Sequence, residues 1–135
     1  MQTTIESANV KIAAIVIQSA VRILGVVLIV LGLLFWTHHA YNLVPLHMRL
    51  GETLAGLLLI LAFLGVAARL SAVLTLSAIL CGLIVVVFGM NMGGLLPGPA
   101  HELIRVLHFL LGLAAIALAE SLGARIKRAS DRDTV

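Results

Sequence analysis

Charge is what this sequence has least of. Only 11% of its 135 residues are Asp, Glu, Lys or Arg, against roughly 25% in an ordinary soluble domain, while 61% are hydrophobic. So few charged side chains cannot coat a globule of this size, which excludes a water-soluble monomer and leaves lipid as the solvent for most of the surface. Cysteine is nearly missing too: Cys81 alone, inside an apolar run, excludes a disulfide framework and a cysteine-based metal site. Catalytic signatures are absent, with no Gly-rich phosphate loop, no H-E-x-x-H and no G-x-S-x-G, so no enzyme is read from the sequence. The opening stretch MQTTIESANVK lacks a basic n-region and carries Glu6, and the apolar run behind it reaches Trp36 without a small-residue cleavage pattern. It is expected to be an uncleaved first span rather than a signal peptide.

What is present is four apolar runs, residues 12–36, 47–68, 71–90 and 102–122, each near the roughly 20 residues a helix needs to cross a ~30 Å hydrocarbon core. Leucine-rich runs without two-residue alternation exclude barrel strands, and backbone groups cannot go unpaired in lipid, so the runs are helices. The expected fold is all-α: one domain over residues 1–135, a four-transmembrane-helix bundle of two helical hairpins, with residues 123–135 as a short basic and polar cytoplasmic tail. The three prolines, Pro45, Pro97 and Pro99, all lie in the connections, so no span is broken in mid-membrane.

The net charge of +3 sits in clusters at the ends of apolar runs rather than along one face, which reads as membrane orientation and not as nucleic-acid contact. Lys11, Arg69, Arg125, Lys127, Arg128 and Arg132 gather on the side of both termini, and only Arg49 and Arg105 lie toward the other. The positive-inside rule then places both termini in the cytoplasm and the protein in the cell's inner membrane, with Trp36 and Tyr41 at the opposite interface. A faint duplication runs through the hairpins: Phe35 to His47 and Phe88 to His101 both end in Pro-x-His. A true repeat would make the bundle pseudo-twofold and set His47 and His101 at matching depth.

Polar residues inside lipid are costly, so where they collect is informative. All five histidines lie toward the Trp36 end, joined by Glu52, Glu102, Arg49 and Arg105. His101, Arg105, His108 and Gly112 follow the 4-3-4 spacing of one helix face. Glu52 and Arg105 share a depth and are expected to pair between helices, whether for function or only to fix which helices are neighbours. At the other end, Arg22 and Glu120 share a depth, and either a pair or a snorkelling Arg22 fits. His38 reads as an interfacial turn residue.

His108 lies in an apolar run with no surface nearby and must face the bundle, holding a hydrogen bond, a metal or a cofactor. The phrase His-x-x-x-Gly occurs twice, His47 to Gly51 and His108 to Gly112. It resembles axial-ligand segments of membrane b-type cytochromes, in which a helical His binds haem iron and a small residue one turn away admits the macrocycle. That resemblance implies a haem b held among His47, His101, His108, Gly51 and Gly112, and an electron-transfer role. Counted along the helices, His108 lies ~9 Å deeper than His47, so His101 is the better depth match for His47. A transition-metal site formed by His39, His47 and His101 with Glu52 or Glu102 is the other ligand-based expectation. Beyond ligands, a homo-oligomer of such bundles forming a small channel or transporter, or a structural subunit of a larger membrane complex docking through the uncharged third span, also fits.

Overall fold

The computed structural model describes residues 2–132, with side chains from residue 8 onward. Every regular element among them is helical: α1 (Gln2–Trp36), α2 (Val44–Ala67), α3 (Ala72–Asn91) and α4 (His101–Arg132), with 3-10 turns at Tyr41–Leu43 and Met92–Gly94. All four helices are long and apolar enough to cross a membrane. The chain is a multi-pass, all-α four-helix bundle of two hairpins in contact with lipid.

Helix ends explain the hairpins. After α1, His38 takes a left-handed φ of 63°, and its N–H bonds the carbonyl of Phe35 while that of His39 bonds Leu34. After α2, Arg69 has φ 53° and repeats the pattern, with Arg69 N–H on Val66 and Leu70 N–H on Gly65. Both are Schellman motifs, which satisfy orphan carbonyls that lipid could not. The second reverses the chain so sharply that α3 begins at Ala72.

Packing relies on small residues and leucine. Ala14, Ala62, Ala78, Ala115 and Ala119 are fully buried with Val21, Leu58, Leu61, Leu122 and Ile126. Lipid tails are as apolar as the core, so close approach and dispersion, not water exclusion, hold such helices together. The large residues on the outer faces, such as Ile23, Phe63 and Val73, are exposed to that lipid. Each helix packs on its two neighbours, and α2 and α4 also meet across the diagonal.

Two expectations change here. Residues 123–132 do not form a tail: α4 runs on to Arg132 with Gly123, Ile126 and Ser130 buried, while 133–135 lie outside the described residues. Of the basic residues that looked like a tail, Arg125, Arg128 and Arg132 lie on the exposed face of a helix whose other face still packs on the bundle, and Lys127 reaches inward to Gln18. The repeat is also differently registered. Buried Gln18, Val21 and Gly25 of α1 correspond to buried Thr75, Ala78 and Gly82 of α3, and buried Leu54, Leu58, Leu61 and Ala62 of α2 to buried Ala115, Ala119, Leu122 and Gly123 of α4, each at a constant spacing. The same spacing pairs His47 with His108, not with His101. The connections differ in length, so aligning them by Pro-x-His misplaces the helices by several residues.

Candidate functional site

Toward the Trp36 end the four helices border a partly open cavity of about 570 Å³. Its lining obeys the same correspondence. From α1 come Leu28, Ile29, Gly32, Leu33, Phe35 and Trp36, and from α3 and the turn after it come their partners Val85, Val86, Gly89, Met90, Met92 and Gly93. From α2 come Val44, His47, Met48, Gly51, Glu52 and Leu54, matched on α4 by Arg105, His108, Phe109, Gly112, Leu113 and Ala115. The two hairpins therefore line the cavity with corresponding positions, His47 and His108 among them.

Those two imidazoles face each other with ring centres 6.3 Å apart and planes tilted by 53°. Each is backed by aromatic and glycine. Phe35 sets its edge against His47 at 5.4 Å, and Phe88 stacks on His108 at 6.3 Å. A Cβ on Gly89 would stand 3.0 Å from Cε1 of His108, and one on Gly32 would stand 3.9 Å from Cε1 of His47. Gly89 therefore makes room for the His108 ring, whereas at Gly32 a Cβ would make only ordinary contact with His47. The Nδ1 atoms of His47 and His108 are wholly shielded and have no hydrogen-bond partner. Leaving such a group unsatisfied costs about 1–3 kcal/mol.

The ~9 Å depth separation expected for His47 and His108 is thus overturned. Depth counted along helix axes neglects the reach of two side chains toward each other and any difference in where the helices begin. His101 also lines the cavity, but its Nδ1–H donates to the Leu95 carbonyl at 3.1 Å, tying the connecting loop to the start of α4. Gly51 and Gly112 line the cavity too, with nothing within 4 Å of an added Cβ, so both leave open space beside the histidines.

Arg105 pairs with Glu102 at 2.8 Å, one turn back on its own helix, and not with Glu52 as expected. A partner three residues away needs no reach across the bundle. Glu52 borders the same cavity. His39 does not: its Nδ1 lies 3.2 Å from the Thr37 hydroxyl on the exposed end of the first hairpin, because the left-handed turn at His38 carries the chain outward. Glu102 is outside the lining as well. Among the described residues no three His, Cys, Asp or Glu side chains come together as a metal site, so the set of His39, His47, His101, Glu52 and Glu102 is not assembled. His38 holds Tyr41 through a 2.8 Å contact between Nδ1 and the phenol oxygen.

At the opposite end, α1 and α4 are joined by a polar ladder. Arg22 donates twice to Glu120, from Nε at 2.8 Å and from Nη2 at 2.7 Å, so it pairs rather than snorkels alone. Gln18 donates to the same carboxylate at 2.7 Å and accepts from Lys127 at 2.7 Å, and Lys11 bonds Asp131 beyond them. Sequence spacing could have found Gln18, which stands four residues before Arg22 on one face.

No family model, curated protein or solved structure matches the chain. The chemistry must be read from the site itself.

Proposed function

We propose that the protein binds one haem b between His47 and His108 and carries electrons in the membrane. The observation that supports this most directly is the pair of imidazoles, with ring centres 6.3 Å apart, on the wall of one largely apolar cavity. His47 and His108 would hold the group from two different helices, α2 and α4.

The donor set fits a macrocycle better than a bare ion. A porphyrin would bring four nitrogens of its own, so His47 and His108 would suffice to hold it, whereas most transition ions need three or four protein donors. The cavity has the room, and its lining is mostly aliphatic, aromatic and glycine, which suits a flat hydrophobic ring. Bound there, haem supplies one-electron transfer. The protein's part is to orient two imidazoles, with Phe35 against His47 and Phe88 against His108, and to present Arg105 and His101 to polar groups of a ligand.

The absorption spectrum of the detergent-purified protein, oxidised and dithionite-reduced, tests the reading. A Soret band with split visible bands on reduction is expected, and a featureless spectrum from protein expressed with ample haem would remove it. An electron carrier of this size works with a redox partner in the membrane, as a subunit of a larger complex or a homo-oligomer.

The proposal includes an inner membrane with both termini cytoplasmic, supported by the six basic residues on that side against two on the other. A cysteine placed at Asn42 in a Cys81→Ser background is expected to react with an impermeant maleimide in intact cells, and one placed at Arg132 only after lysis. The reverse pattern would invert the topology and put the haem site in the cytoplasmic half.

A further inference from the structure

The ion pair of Arg22 and Glu120 is turned outward rather than into the bundle, the arginine side chain 60% exposed and the glutamate 32%. Counted along α1 from Trp36 at one interface, Arg22 lies about 21 Å into a ~30 Å hydrocarbon core, toward the side of the termini. The pair heads an open groove of about 210 Å³ between α1 and α4, whose other lining residues are Gly25, Val26, Ile29 and Ile116. Gly25 lets Ile116 close up on α1, since a Cβ there would stand 2.8 Å from Cδ1 of that isoleucine.

Charge at the head of the groove does not balance. Glu120 accepts from Arg22 and from Gln18, and the other end of Gln18 accepts from Lys127, so two cations share one carboxylate. Nη1 of Arg22 makes no hydrogen bond among the described residues. A singly charged anion would balance the cluster, and one that reaches this depth must carry an apolar body.

We propose that the groove binds one anionic phospholipid of the leaflet on the side of the termini, its phosphodiester bonded to Arg22 and the start of one acyl chain laid along Val26, Ile29 and Ile116. The phosphodiester brings the negative charge that the cluster lacks and accepts charge-assisted hydrogen bonds from the guanidinium. From Arg22 to Ile29 the groove descends about 10 Å toward the middle of the membrane, the direction in which an acyl chain of that leaflet runs. A headgroup drawn down to an arginine that reaches up is the usual compromise for charge in lipid. The corresponding seam of α3 and α2 has Ile79 and Leu59 in the places of Arg22 and Glu120, and so no charge to offer a headgroup. The site is independent of what the histidine cavity holds.

Delipidated protein in a nonionic detergent, titrated with dioleoylphosphatidylglycerol and followed by its thermal transition, tests this. A saturable rise is expected, with dioleoylphosphatidylcholine, whose headgroup carries its own cation, binding about tenfold more weakly. Glycerol phosphate, the anion without the chains, should give no rise. Arg22→Ile combined with Glu120→Leu copies Ile79 and Leu59 and so suits the fold, and it should weaken the phosphatidylglycerol response about tenfold. Val26→Trp, which fills the groove and leaves the ion pair in place, should weaken it as much, whereas Arg128→Gln, which removes an exposed charge outside the groove, should not. Equal responses to the two lipids, a response to glycerol phosphate, a response that survives either groove variant, or an equal loss in Arg128→Gln overturns the proposal. So does a delipidated dimer that Val26→Trp turns into a monomer, because a second copy of the chain would then cover the groove.

Discussion

Alanine at His108 is expected to abolish haem binding, and alanine at His47 to do the same, each leaving less than a tenth of the native Soret absorbance per mole of purified protein. On the proposed reading both imidazoles would hold the same haem, and His47 and His108 are the pair whose rings face each other across the cavity. His38→Ala should leave the spectrum unchanged, since that side chain is exposed and bonded only to Tyr41. The variants should still fold: each removes a ring that makes no hydrogen bond through its shielded nitrogen. Native absorbance in both alanine variants, with the protein monodisperse, would show that any haem is held elsewhere.

The second large effect is expected at the crossing of α1 and α4. A methyl on Gly123 would lie 2.9 Å from the side-chain amide carbon of Gln18, which is 3% exposed and cannot move without losing its bonds to Glu120 and Lys127. Gly123→Ala should therefore destabilise the bundle by about 1–3 kcal/mol, read as an earlier thermal transition in detergent. The corresponding crossing of α3 and α2 shows how the clash is avoided: Ala62 stands in the place of Gly123, and the shorter Thr75 in the place of Gln18. Gln18→Thr combined with Gly123→Ala should recover part of the loss, as neighbouring residues rarely add independently. Strictly additive losses in the double variant would mean the two side chains do not meet.

Hydropathy made the spans legible because lipid leaves the backbone so few options; the runs at 12–36 and 71–90 end within a few residues of the observed helices. The extension of α4 was hidden by Arg125, Lys127 and Arg128, although Leu122, Ile126 and Ser130 continue its buried stripe at four-residue steps. His108 was legible as an inward residue because nothing polar surrounds it in the chain. Its meeting with His47 was not, since depth along one helix says nothing about side-chain reach from the next. The doubled His-x-x-x-Gly held the correct register of the repeat all along, but the more conspicuous Pro-x-His lies in loops, whose lengths are free to differ. Arg105 was assigned to the wrong carboxylate because matching depth does not weigh a partner available on the same helix.

The polar ladder has no counterpart between α2 and α3, where Thr75, Ile79, Leu59 and Val66 occupy the places of Gln18, Arg22, Glu120 and Lys127. Those two helices are joined by a tight turn and cannot drift apart, whereas α1 and α4 are the first and last to be made. Arg22 precedes Glu120 by 98 residues, so at synthesis rates of about 5–20 residues per second the ribosome leaves it without its carboxylate for roughly 5–20 s. During that interval the arginine must reach for headgroups or rest against the insertion machinery. Closing the ring of helices thus waits for α4, and a chain arrested before α4 would present an uncompensated cation in the bilayer, a mark by which quality-control proteases could recognise it as unfinished.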